Sequence, residues 1–387
     1  MNMPVHPSRL SMSRQLSPEE LQAFGAAIEA LYQQTRADLG QRDADYIYRV
    51  RAFVRYSEMA GRGLLMLGGW IPPVWLTGTV LLGISKIVEN MELGHNVMHG
   101  QYDWMNDPSL NGARYDWDNV CAANAWKHTH NFEHHTYTNI VGKDRDLGYG
   151  TLRISEKQRW YPQHRYNLAF TTMLALGFEW FVGVHDMQLD RYIIGKRKWR
   201  DLTKTVEWQE FVLKARRQVL KDYVFFPAIA GVNALPVLTG NLSANLIRNV
   251  WAWAIIFCGH FTEHAEVFED KGAAETRAEW FVRQIRGSSN ISGGALMDFL
   301  SGNLSHQIEH HLFPDLPANR YKELAPHIRA LCEQYGQHYN TGSFAKQLTT
   351  VLLRLTVMSV PDANRQKLEQ KIDTFKRLLR RTPRVPA

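Results

Sequence analysis

The stretch Asn303-Leu304-Ser305-His306-Gln307-Ile308-Glu309-His310-His311-Leu312-Phe313-Pro314-Asp315-Leu316-Pro317 decides how the rest of the chain reads. It puts three imidazoles into six residues, which packing alone explains poorly, because histidine is neither a typical core residue nor a dedicated surface one. Neutral imidazole is the commonest metal ligand among side chains. On a helix His306 and His310 share a face, as do Gln307 and His311. One histidine-rich run is only a compositional hint. Its meaning depends on what the other residues offer it.

The chain has 387 residues, ample for a core in one or two domains. Mean hydropathy is −0.34, ordinary for a soluble protein, but the apolar residues are concentrated in a few stretches. Residues 63–84 are almost free of charge, with Pro72-Pro73 in the middle. A tight helical hairpin turning near Trp70 to Pro73 is preferred to a single span of about 20 residues, because its second helix then delivers His95 to the membrane surface. Tyr223 to Leu238 and Asn245 to His260, parted by Thr239-Gly240-Asn241, predict a second hairpin ending on His260; Pro227 and Pro236 are tolerable in membrane helices. Residues 167–187 are apolar but carry Glu179 and His185, and ten Lys/Arg follow between Arg191 and Lys221. The positive-inside rule puts that basic stretch in the cytosol, so 167–187 reads as interfacial or re-entrant. Ser17-Pro18-Glu19-Glu20 opens an amphipathic helix ending near Gly40. Strand signals are almost absent. The fold class is therefore all-α integral membrane, two transmembrane hairpins (about four spans) under a cytosolic helical cap. Residues 1–56 form a tail and amphipathic helix, 57–320 the membrane and catalytic domain, and 321–387 a helical extension. Lys376-Arg377 and Arg380-Arg381 could touch anionic lipid there.

The net charge of +7 suggests anionic partners such as phospholipid head groups or a phosphorylated substrate. No nucleic-acid-binding motif accompanies it, and nucleic acid is not expected. Cys121, Cys258 and Cys332 have no paired spacing, which argues against disulfides and thiolate metal sites and fits a reducing compartment. No signal peptide pattern opens the chain.

Of 16 histidines, 11 fall in four short clusters. His95-Asn96-Val97-Met98-His99 and His260-Phe261-Thr262-Glu263-His264 are i,i+4 pairs, each at the end of an apolar stretch. His128-Thr129-His130-Asn131-Phe132-Glu133-His134-His135 is a third, and the opening stretch the fourth. Such spacing puts two imidazoles on one helix face, where one ion takes both or two ions take one each. The HExxH of zinc peptidases is absent. Eight or more imidazoles without thiolates suggest two ions, and nitrogen ligands suit Fe, Cu, Ni or Zn. Nitrogen-rich coordination at a redox metal beside a membrane suggests oxygen activation and attack on a lipid chain.

HNVMH, HNFEHH and QIEHH resemble, in order and placement, the three histidine boxes of membrane fatty acid desaturases. The resemblance covers about residues 60–320; the words GHNVMHG and EHHLFPDLP look most like bacterial acyl-CoA or acyl-lipid desaturases, including the mycobacterial type. It implies an O2-dependent enzyme with two non-haem irons that inserts a cis double bond into a long-chain acyl-CoA or acyl-lipid. The implied ligands are His95, His99, His130, His134, His135, His310 and His311, with His264 in the place of a further ligand after the fourth membrane helix. His260 could be a ligand or hold a metal-bound water; His306 and Gln307 compete for the third box's opening position; His128 reads as adjacent. Glu133, Glu263 and Glu309 each precede a proposed ligand and could orient it, as carboxylates around metal sites do, or simply be solvated. Gln307 is typical of front-end desaturases, whereas the bacterial resemblance favours mid-chain insertion. His6-Pro7 lacks the Gly-Gly of a fused haem domain, so no fused cytochrome or flavin is expected, and electrons would come from a separate ferredoxin or flavin reductase. A bacterial inner membrane with a cytoplasmic active site is implied. Trp126, Phe132, Trp180 and Met98 could line a hydrocarbon tunnel, though core packing explains them as well. The nearest rival on the same scaffold is a lipid or alkane hydroxylase or ketolase; the non-enzymatic rival is a metal-binding membrane protein or transporter.

Overall fold

A computed structural model describes residues 12–381, with side chains up to Ile372 and that of Thr374. His6-Pro7 and the side chains of Lys376, Arg377, Arg380 and Arg381 lie outside the described residues. The first helix, α1 (Pro18–Ala37), starts on the expected capping box: Ser17 Oγ accepts from the Glu20 N–H and the Glu20 carboxylate from the Ser17 N–H. Phe24 and Ile28 are its buried face.

Helix α2 (Gln41–Gly68) runs unbroken across position 56 and meets α3 (Pro72–Val88) in a hairpin. The turn lies where Pro72-Pro73 placed it, since proline in the first turn of a helix forfeits no needed N–H. Glycine keeps the pair close: a Cβ on Gly61 would lie 2.8 Å from the Leu82 nitrogen. Beyond Val88 the helix widens into a π turn, Glu89–Gly94, before a last helical turn, His95–Met98.

Helices α4 (Asn167–Leu176) and α5 (Phe178–Asp186) follow, and the axis running from Pro162 to Leu176 meets that of α5 at 99°. The 167–187 stretch is bent, as an interfacial or re-entrant segment would be. Helix α6 (Val206–Val219) leads through a π turn (Leu220–Phe225) and Phe226–Ile229 into α7 (Ala234–His260). Here one expectation needs correcting. The second hairpin turns at Gly231, which adopts φ +56°, and Thr239-Gly240-Asn241 lies inside α7. Gly240 is a packing glycine, since its Cβ would sit 2.7 Å from Leu65 of α2.

Among the described residues no single helix is long and apolar enough to cross a membrane; only the bent α4–α5 pair could do so by length and composition. Helix α3 offers 17 residues before its π turn, at the bottom of the roughly 17–25 that a span uses. Helix α2 carries Arg49, Arg51, Arg55, Glu58 and Arg62, and α7 carries Asn241, Asn245, Arg248 and Asn249. Several of these polar groups point inward: buried Asp222 accepts from Arg62 at 3.0 Å and Lys86 at 2.7 Å. Apolar side chains point outward at the hairpin tips, where Leu67 is 88% and Val232 87% exposed.

The remaining chain wraps the inner ends of α3 and α7. Helix α8 (Arg277–Gly287) rests on α1, with Ala278 against Gly25. A three-residue strand β1 (Asn290–Ser292) precedes the short helix α9 (Gln307–Leu312), then α10 (Tyr321–Gln334). Strand β2 (Thr341–Ser343) pairs with β1 in parallel, Asn290 opposite Thr341, and α11 (Phe344–Ser359) and α12 (Asp362–Arg381) end the described chain.

Candidate metal centre

The π turn before His95 is the first positioning device. The His95 N–H bonds to the Asn90 carbonyl, five residues back, which turns the pair His95 and His99 inward with ring centroids 4.6 Å apart. The second cluster does the same: Ala123–Trp126 opens into a π segment, Lys127–His134, and closes as His135–Tyr137. Such wide turns are rare and concentrate at functional sites. The opening stretch arrives on α9 through Gly302, at φ +69°, where a Cβ would come within 2.3 Å of the Met91 carbonyl oxygen. Only glycine lets α9 approach the first π turn so closely.

These devices gather eight imidazoles. Ring nitrogens of His95, His99, His130 and His310 lie within 4.8 Å of one another, as do those of His134, His260 and His311, and those of His135, His310 and His311. His135 joins the two groups, stacked on His311 at 4.5 Å and edge-on to His99 at 4.7 Å. Seven of the eight are residues implied by the histidine boxes; the eighth is His260. His264 is not among them. It lies beyond the end of α7, exposed, with its ring 5.5 Å from His338. The i,i+4 geometry that would align it with His260 requires a helix, and the helix stops at His260.

Gln307 points at the cluster, its Nε2 3.0 Å from His260 Nε2, whereas His306 turns to Asp298 at 3.5 Å. His128 faces solvent beside Glu133 at 3.5 Å, and Glu133 neighbours Arg145 at 3.6 Å; neither reaches the cluster. Glu263 is exposed. Glu309 is buried and touches none of the eight rings, accepting instead from Asn290 Nδ2 at 2.8 Å and the Tyr339 hydroxyl at 2.9 Å. Asn290 Oδ1 also accepts the Ile308 N–H at 2.8 Å, so Glu309 helps moor α9 to β1. Burial pushes its carboxyl up to about 7.

The sequence profile described as "Fatty acid desaturase" matches residues 69–343. The chain belongs to the fatty acid desaturase family. Over 352 residues, 90% of this chain and 82% of the relative, it is 44% identical to the NADPH-dependent stearoyl-CoA 9-desaturase of Mycobacterium tuberculosis. It is 27% identical to the sn-1 linoleoyl-lipid 6-desaturase of Synechocystis, covering 78% of this chain and 85% of that one. To human fatty acid desaturase 3 it is 24% identical, over 88% and 76% of the two chains. This desaturase is thus an enzyme of unsaturated fatty acid metabolism, in a family generally built on two irons and O2.

The cluster fits such ions. Buried Nε2 atoms of His99, His130, His135 and His310 have no hydrogen-bond partner, which is costly unless another atom engages them. For five rings Nδ1 is held from outside: His95 by Asn96 at 3.0 Å, His130 by Asp146 at 3.2 Å, His134 by Asp144 at 3.0 Å, His310 by Tyr321 at 3.3 Å and His311 by Gln284 at 2.9 Å. That leaves Nε2 directed inward, the arrangement by which outer partners set a ligand's tautomer and orientation. Burial holds His135, His310 and His311 well below the usual imidazole range, with neighbouring imidazoles adding to the effect. Burial thus favours their neutral, metal-binding form. The carboxylates that do this work, Asp144 and Asp146, escaped the sequence reading, which looked only next to each histidine. A signal existed: Asp144-Arg145-Asp146 follows the second cluster by nine residues.

Beside the cluster lies a pocket, partly open to solvent, reached by His95, His130, His134 and His260. Its walls include Trp126 with Met91, Phe178, Val182 and Ile256; Met98, Phe132 and Trp180 do not line it.

Proposed function

We propose that this desaturase inserts a cis double bond near mid-chain of a long-chain acyl-CoA or acyl-lipid, using two irons held by the eight imidazoles. His95, His99, His130 and His310 would close around one ion, and His134, His260 and His311 around the other, with His135 between them. The observation that carries this reading is the meeting of these rings from four separate stretches, with His95, His130, His134 and His260 at the wall of one largely apolar pocket. When bound, two redox-active irons supply O2 activation and removal of hydrogen from adjacent methylenes. Overall, one saturated chain, one O2, two electrons and two protons give one alkene and two waters.

The protein's own part is positional. Asp144 and Asp146 keep His134 and His130 turned inward. Met91, Val182 and Ile256 shield the methylenes from water and leave the chain few orientations. The stearoyl-CoA activity in the mycobacterial relative's name, at 44% identity, supports mid-chain insertion and an acyl-CoA substrate. The lipid 6-desaturase is more distant at 27%. Electrons would come from a separate ferredoxin or flavin reductase. The apolar hairpin tips and the +7 charge support residence in a bacterial inner membrane with the cluster facing the cytoplasm.

Expression in a host lacking such unsaturation, followed by mass spectrometric location of double bonds in each lipid pool, tests the proposal. A new cis bond near mid-chain is expected. Recovery of hydroxylated chains alone would contradict it.

A further inference from the structure

Three helices line the cavity in the same sense. On α7 the wall runs from His260 through Ile256 and Ala252 to Asn249 and Arg248; on α5 it runs from Asp186 through Val182 to Glu179; on α3 and its π turn it runs from His95 through Met91 to Asn90. Each line passes from the histidine end through apolar side chains to a polar one. The polar ends meet. Arg248 pairs with Glu179, and donates to Asn90 Oδ1 at 3.1 Å and Asn249 Oδ1 at 3.0 Å. The Val120 N–H binds the other Glu179 oxygen at 3.1 Å. Arg248 and Glu179 are both buried. Each nitrogen of the guanidinium has a protein partner, which holds the assembly in place. It is a wall.

Accepting the desaturase reading above, we propose that the Arg248–Glu179 pair is the floor of the acyl cavity and fixes the longest hydrocarbon tail accepted beyond the reacting carbons. An alkyl terminus cannot compensate an ion pair it pushes apart. Five residues separate His95 from Asn90 on one wall and eleven separate His260 from Asn249 on another, about 7 to 16 Å at the helical rise, so only a short hydrocarbon tail fits between the histidines and the floor. The limit therefore applies to the methyl-end segment, and chains with longer tails are excluded.

The test feeds a series of saturated fatty acids, from myristic to arachidic, to cells making the full-length protein, and maps the products. The double variant Arg248→Leu/Glu179→Leu removes both charges together, so neither is stranded. It is expected to raise the ratio of longer to shorter unsaturated products roughly tenfold, the scale on which pockets discriminate a methylene. Ala252→Leu, which raises the floor, is expected to shift products to shorter chains. An unchanged chain-length profile in the double variant, with double bonds still formed, would overturn the proposal; should that variant fail to fold, an unchanged profile in Ala252→Leu would do so. Absence of any double bond with the unsubstituted protein would instead overturn the desaturase reading.

Discussion

His260 and His264 show how one helical turn of sequence can mislead. Both follow an apolar stretch at the spacing that shares a helix face, yet α7 ends at His260 and the chain turns away. His260→Ala should therefore cost iron and abolish product, while His264→Ala should keep both, as metal analysis and lipid profiling of the two variants would show. The seven box histidines were legible because imidazole spacing survives as a pattern in one dimension. Asp144 was not, because its partner His134 lies ten residues away across a turn. Asp144→Asn leaves the size of the side chain unchanged but removes the charge facing His134 Nδ1. Iron affinity should fall by about 10–100-fold, measurable by competition with a chelator.

At the scale of elements, caps and turns rich in proline read well and departures from 3.6 residues per turn did not. Ser17, Glu20 and Pro72 act locally, so their neighbours in sequence are their partners in space. The π turns at Glu89–Gly94 and Lys127–His134 are set by what their side chains meet across the molecule, and no local periodicity announces them. Gly240 misled for the same reason: glycine marks a turn in one setting and a close helix contact in another. Gly302 combines both roles. Gly302→Ala adds a left-handed penalty of about 1–2 kcal/mol to a clash with Met91, and should lower thermal stability and iron content together in detergent-solubilised protein.

Across the whole molecule, composition averaged away the feature that matters most. A mean hydropathy of −0.34 sums polar side chains turned inward, such as Arg62, Lys86 and Asp222, with apolar ones turned outward, such as Leu67 and Val232. The two hairpins were legible from their apolar runs; their long helices with charged interiors were not, because charge in a sequence does not say which way it faces. Asp222 balances two buried cations, so Asp222→Leu should destabilise by about 3–5 kcal/mol, read as a lowered melting midpoint. Alkaline carbonate washing of membranes should leave the unsubstituted protein in the pellet.

Every role proposed for this site depends on eight imidazoles holding two irons. Elemental analysis of purified, active protein, with His260→Ala and His264→Ala in parallel, tests this directly. Such a site predicts about two irons per chain for the unsubstituted protein and for His264→Ala, and a clear loss for His260→Ala; zinc in place of iron, or iron lost with His264 and kept without His260, would contradict it.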